Sequence, residues 1–403
     1  MRRAGFVSLA LSVLVAVQLV AQSAPPPGQV APPAGQTPPV ATAAEVQAAI
    51  NKLGSFEFGI RTEAARVVRR APAEIAVRLL AAAARSHTDE YVRYRALTIL
   101  SGFGGPVAAA VMAEVKTDVN DRLRTVAFAW FEHNPDPAVI PALLESYKRE
   151  TSEFVRPALT RAIAAHLADP RAREVLAPMV LRGEDFFRGS VIEALGEYGG
   201  SFALADIVQV AQLEGPLQDD AITAIGRIGD QSKVNTLVAL QRSARPELQP
   251  TVAASLCLLD RECAKTEDYL KQTIAFAAGN EGYQKLLRGA VHGLAMLSLR
   301  GKTASWKALL DAGVAATSDA SRSPIALGVG IVALRDPQLV LSAFELRADL
   351  DAATELLRDA FDMLEEDYEE ERFYVAVRQA YWAAPAGSAR RRTAEALIQK
   401  LEF

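Results

Sequence analysis

Histidine and cysteine are the side chains that most often hold metals or attack substrates, and this chain has four of one and two of the other. His87, His133, His166 and His292 are scattered, and none sits in a His-Glu-x-x-His or comparable ligand spacing. Glu132-His133 is an isolated pair just ahead of the turn Asn134-Pro135, so no metal site is expected. Cys257 and Cys263 are six residues apart, which in one continuous helix points them to different faces. A helix end near Asp260 would let Cys263 fold back, so the pair fits either a disulfide or two free thiols. There is no Gly-x-Ser-x-Gly elbow, no phosphate-binding loop and no glycine fingerprint after a strand. Gly328 and Gly330 fall inside an apolar helical run and read as close-packing positions. No catalytic constellation and no cofactor site emerges, and the chain reads as a non-enzyme.

The charged residues are more orderly. Lys and Arg total 44 and Asp and Glu total 48, a net charge of -4 that argues against a nucleic-acid partner. The strongest acidic run, Glu365 to Glu371, reads as a solvated helix end, with Arg390, Arg391 and Arg392 as candidate partners across the last helices. Five arginines recur at nearly constant spacing: Arg61, Arg93, Arg124, Arg156 and Arg188, separated by 32, 31, 32 and 32 residues. Each is followed three, four and seven positions later by mostly apolar residues, as in Arg93 with Ala96, Leu97 and Leu100. Gln218 and Gln249 continue the register after a further 30 and 31 residues.

The elements that carry these positions are helices. Apolar residues recur at three and four positions from Ala43 onward, and alternating strand-like runs are scarce. Each unit has a second amphipathic segment, for example Ile75 to Leu80, Ala138 to Leu144 and Ala205 to Val210. Turn residues separate the segments, among them Gly104-Gly105-Pro106, Gly199-Gly200 and Gly229-Asp230. One helix pair cannot bury its apolar face alone, whereas stacked pairs can. Beyond Asp260 the register weakens: Arg288 follows Gln249 by 39 residues, which predicts an insertion in one unit.

The run Ala221-Ile222-Thr223-Ala224-Ile225-Gly226-Arg227-Ile228-Gly229-Asp230 and the related Ser190 to Gly199 resemble short HEAT-like repeats, the bacterial type also found in phycobilisome-lyase proteins. The resemblance implies an all-α, right-handed α-solenoid of about ten stacked helix pairs. It also implies that the recurrent arginines form a structural ladder, each bonding a neighbouring turn or an acid of the next unit. The diiron hydroxylases built on such repeats use recurrent His-Glu pairs, which are missing here. A long concave surface lined by the second helices is expected to bind a protein or peptide partner. Helical phase puts Arg78, Glu114, Glu145, Gln209, Gln241 and Lys271 on that surface.

The start of the chain reads as an export signal. Arg2 and Arg3 precede an apolar stretch from Phe6 to Val17, and Ala21-Gln22-Ser23 fits cleavage after Ser23. Seven prolines between Ala24 and Val40 favour an extended polyproline II spacer. The expected organisation is thus signal peptide 1–23, proline-rich linker 24–42, regular repeats 43–260, and divergent repeats with a C-terminal cap over 261–403. The expected role is a periplasmic or secreted interaction scaffold, with no membrane span once the signal is removed. The alternatives are an accessory subunit of a lyase-like enzyme and a self-associating envelope component.

Overall fold

The computed structural model describes residues 41–364 and 367–403. The expected signal peptide, all of the linker but its last two residues, and Glu365 and Glu366 of the acidic run lie outside the described residues. Helix α1 (Ala43–Lys52) opens the described chain. Ten pairs follow, each a first and a second helix: α2 (Phe58–Arg70) and α3 (Ala73–Ser86); α4 (Glu90–Phe103) and α5 (Gly105–Val115); α6 (Asp121–His133) and α7 (Ile140–Arg149); α8 (Arg156–Ala164) and α9 (Pro170–Leu176); α10 (Asp185–Glu197) and α11 (Leu204–Ala211). The later pairs are α12 (Gln218–Ile228) and α13 (Val234–Ser243); α14 (Gln249–Leu258) and α15 (Cys263–Ala278); α16 (Gln284–Leu299) and α17 (Thr303–Ala315); α18 (Asp319–Arg335) and α19 (Pro337–Phe344); α20 (Leu350–Leu364) and α21 (Asp367–Ala383). Helix α22 (Ala389–Lys400) ends the fold, and no strand occurs among the described residues. No single described helix is long and apolar enough to cross a membrane.

Local chemistry sets the helix starts. Thr42 and Glu45 form a reciprocal capping box at α1. Asp89 accepts from the backbone N–H groups of Tyr91 and Val92, and Asn120 from that of Arg122. At the end of α12, Gly229 adopts φ +81°, a left-handed cap that a side chain would strain.

The first helices stack on one another from α4 through α20, and the second helices before α21 cover their outer side. The middle of the stack is so enclosed that every residue from Pro250 to Cys257 in α14 is buried, as is every residue from Ala221 to Gly226 in α12. This placement corrects the expectation that second helices line the concave side. First helices have apolar or small residues around most of their circumference, so they take the crowded inner position; the amphipathic second helices keep one wet face.

Each ladder arginine binds the end of the preceding helix or the turn ahead of its own. Arg61 donates to the Ser55 carbonyl at 2.8 Å, Arg93 to that of Ala84 at 3.0 Å, Arg124 to that of Asp118 at 2.8 Å, Arg156 to that of Glu150 at 3.0 Å, and Arg188 to that of Val180 at 3.1 Å. Arg93 and Arg124 add ion pairs to Asp118 and Glu150 in the following second-to-first-helix turn. Gln218 and Gln249 occupy the same register and donate to the carbonyls of Ala211 and Ala244.

Pairing continues without a break past residue 260. The wider spacing there comes from α15 and α16, each 16 residues long. Between α14 and α15 the chain reverses through Asp260 and Glu262, both at φ 54°, and Cys263 is disulfide-bonded to Cys257. Chain-entropy arithmetic for so short a loop gives about 2 kcal/mol of stabilisation. Cys263→Ser is therefore expected to lower the unfolding free energy by that amount in urea titrations, and a reductant to do the same to the parent chain.

Candidate functional site

The superhelix turns back far enough that α21 packs against α4. The acidic run supplies the contact. Arg69 of α2 and Glu371 pair at 2.6 Å with both side chains nearly out of solvent, and Arg378 reaches the same carboxylate at 3.4 Å. Asp367 accepts from the Tyr94 hydroxyl and the Arg95 guanidinium of α4. His133 Nε2 lies 2.7 Å from Glu369 Oε1, whose other oxygen accepts from Arg372. Burial alone would raise the Glu369 carboxyl, but His133 and Arg372 overcome it and hold the group at about 2. Gly102 of α4 is what admits Glu371: a Cβ there would lie 2.6 Å from its Oε1.

This clasp replaces two expectations about the acidic run. Its described members, from Asp367 to Glu371, are sheltered by the early first helices. Arg390 pairs with Glu345 at 2.6 Å, Arg391 stacks on Tyr381 and Trp382, and Arg392 donates to the Gly387 carbonyl, so these contacts of the three lie away from the run's described members.

The clasp also gathers Glu132, His133 and Glu369, with one ligand atom of each within 4.8 Å of the others. The donor types suit a divalent cation. Glu132, however, is already held by Arg161 at 3.0 Å and by the Tyr198 hydroxyl at 2.9 Å, and Glu369 by Arg372. The carboxylate charges are thus met by two guanidinium groups, and the cluster works as a polar lock between α6 and α21. Glu369 is 236 residues from His133, so no local spacing announces the trio.

Above the clasp lies a cavity of about 2130 Å³. Its walls come from first helices α2, α4, α6, α8 and α10 on one side and from α20, α21, α22 and the last residues on the other. The C-terminal Phe403 is buried in the floor, its ring stacked on Tyr374 at 4.2 Å. Three phenylalanines stand at the mouth: Phe58 is 65% exposed, Phe154 81% and Phe186 55%. Arg122 lies over Tyr91 and Tyr94 at 5.5 and 5.4 Å from the ring centres. Most other charges in the lining are paired, including Lys400 with Asp351 and Glu355.

Farther along the inner side, Arg335 of α18 reaches Glu197 of α10 at 3.4 Å, and Arg300 donates to the Arg227 carbonyl at 2.6 Å. Asp220 faces this strip with Asp219 and Glu193 nearby. Burial first, then those like charges, raise its carboxyl to about 6. Above pH 6 Asp220 is charged both folded and unfolded, and the folded state carries the cost. Below about pH 4 it is neutral in both and the cost vanishes. Asp220→Asn should therefore stabilise the fold by about 2 kcal/mol at pH 7.5 and by almost nothing at pH 4, read from urea midpoints at the two pH values.

The architecture is an α-solenoid of stacked helix pairs. No protein-family model matches the chain, and no curated protein does. Among solved structures it is similar to Kap121p bound to RanGTP, at 14% identity over 89% of this chain and 40% of that one, with a TM-score of 0.33. It is also similar to importin beta, at 13% identity over 89% of this chain and 55% of that one, with a TM-score of 0.36. The CpcE–CpcF complex of phycocyanin lyase from Nostoc sp. PCC7120 is similar at 16% identity over 83% of this chain and 99% of that one, with a TM-score of 0.25. The chain thus spans 40% of the length of the first of these.

The positions expected to bind a partner lie on second helices, away from the cavity. Arg78, Gln209 and Gln241 are exposed there, Glu114 pairs with Arg85 of the preceding unit, Glu145 pairs with Lys148 and Arg149, and Lys271 lies 3.7 Å from Asp268. Sequence reasoning missed the cavity residues. A signal for them was present: Tyr91, Phe154 and Phe186 each stand two residues before a ladder arginine, and Arg122 does the same.

Proposed function

We propose that the chain is an exported, non-enzymatic interaction scaffold that holds an extended peptide segment of a partner in the cavity between its early first helices and its C-terminal helices. One observation carries the reading: three large, exposed phenylalanines converge on a cavity of about 2130 Å³. Small-molecule sites usually measure roughly 300–1,000 Å³. Exposed aromatic anchors around a wider cleft suit a polymer segment, since such residues dominate interface energetics once covered. Export is supported by the basic and apolar start of the chain and by the Cys257–Cys263 bond, which persists in oxidising compartments.

The test is to pan a displayed peptide library against the full chain and measure the selected peptides by calorimetry. A Phe154→Ala/Phe186→Ala double variant should bind them at least tenfold more weakly at an unchanged melting temperature. Equal binding by that variant, or loss of binding on changing Arg78 and Glu114 instead, would place the site on the outer face and overturn the proposal.

A further inference from the structure

One arginine of the cavity has no acid of its own. Arg122 is exposed in the lining, lies over the Tyr91 and Tyr94 rings, and makes no ion pair among the described residues. Its neighbours on that wall are engaged: Arg69 pairs with Glu371, Arg95 with Asp367 and Arg161 with Glu132, while Arg61 donates to the Ser55 and Phe56 carbonyls. A guanidinium resting on aromatic rings is held in place with N–H groups still available, and their fork matches a carboxylate.

Arg122 also belongs to a row. Tyr91, Arg122, Phe154 and Phe186 each stand two residues before a ladder arginine, at the starts of α4, α6, α8 and α10, and all four line the cavity. These helices pack on one another in that order. Packed helices sit roughly 8–10 Å apart, so the row offers a contact about every 9 Å. Polyproline II turns the same face every third residue, about 9.3 Å along the strand. A β-strand repeats a face about every 6.7 Å and falls out of step. A helix meets the spacing at about seven residues, but it needs an apolar bed. Between its rings this wall carries Asn120 and Thr125, which suit a strand whose backbone groups are unpaired.

Other charges limit the occupant. Glu153 beside Phe154, and Asp362 and Glu402 on the opposite wall, are exposed acids of the same lining. A strand with many acids would meet like charge there, whereas one carboxylate at Arg122 would not.

We propose that the cavity selects a polyproline II peptide with a single carboxylate, bound by Arg122, three residues from an apolar side chain bound by Phe154. The inference rests on reading the cavity as a peptide site, and it names that site's ligand.

The experiment titrates the full chain by calorimetry with acetyl-PPPEPPLPPLP-amide and with the reverse order, acetyl-PLPPLPPEPPP-amide. One of the two should bind. Replacing its glutamate by glutamine should weaken it about tenfold or more, the loss expected for a charge-assisted hydrogen-bonded pair. Arg122→Gln should bind the glutamate and glutamine forms equally, at an unchanged melting temperature. Moving the first leucine to two residues from the glutamate, or adding two further glutamates, should also weaken binding. The inference is overturned if neither peptide binds, if the glutamine form binds the parent chain as well as the glutamate form, or if the shifted or polyacidic peptides bind as tightly. If it fails in this way while library-selected peptides still need Phe154 and Phe186, the peptide-site reading stands. If those peptides bind the Phe154→Ala/Phe186→Ala variant equally well, the site reading itself fails.

Discussion

Glu371→Ala is expected to lower the unfolding free energy by about 3–5 kcal/mol, the largest loss from any single exchange in the clasp. Glu371 is 1% exposed and is the shared carboxylate of two arginines. Arg69 pairs with it at 2.6 Å and has the Tyr374 ring against its other side. Arg378 is worse placed to lose it, because its Nε and Nη1 atoms are buried with no hydrogen-bond partner. Burial already lowers the Arg378 pKa, and Glu371 is the main influence opposing that. Removing the carboxylate leaves two guanidinium groups in a dry site. Glu371→Gln keeps the shape and an acceptor and should cost less. Urea titration of the three proteins gives the order. A loss below 1 kcal/mol for Glu371→Ala would show that water reaches the pair and that the clasp is a surface contact.

The second large effect is Gly226→Val, expected to cost about 3 kcal/mol. Helices α12 and α14 approach so closely that a Cβ on Gly226 would lie 2.7 Å from the Ser255 Cα, a backbone atom that no rotamer change can move. The same approach lets the Ser255 hydroxyl donate to the Ile222 carbonyl at 3.0 Å, and pushing the helices apart would break that bond as well. Gly196, one unit earlier, sits in the same way against the Ala224 Cα at 2.9 Å. Gly59→Ala is the control, since nothing lies within 4 Å of the added atom and the exchange should be neutral or slightly stabilising. The reach of Arg335 to Glu197 and of Arg300 to Arg227 depends on this tight inner packing. A larger radius of gyration for Gly226→Val in small-angle scattering would register the opening.

The repeat itself was legible because identical local demands recur. Every turn before a first helix needs a donor for its carbonyls, and Arg61, Arg93, Arg124, Arg156 and Arg188 answer it, with Gln218 and Gln249 in the same place. The wider spacing before Arg288 was read as an insertion in one unit; it takes the form of the longer helices α15 and α16. What periodicity cannot report is the curvature, which accumulates from small rotations at each interface. The side of the solenoid that lines the cavity therefore stayed hidden, and Arg78, Glu114 and Gln209 lie outside its lining. The acidic run failed for a related reason. Asp367 meets Arg95 across 272 residues, and nothing in the composition of either segment marks the other as its partner.

That separation also fixes when the cavity comes into being. Early units of a chain fold first as it is made, and contacts far apart in sequence form last. The aromatic wall belongs to residues before Leu195, whereas the opposite wall waits for α20 to α22 and for Phe403 at the floor. A chain shortened before Leu350 would keep most of its stacked pairs and their apolar core, yet it would present Phe58, Phe154 and Phe186 on an open ledge. The stack and the cavity are thereby placed on different clocks: the stack grows unit by unit, and the cavity is completed when the last helices close.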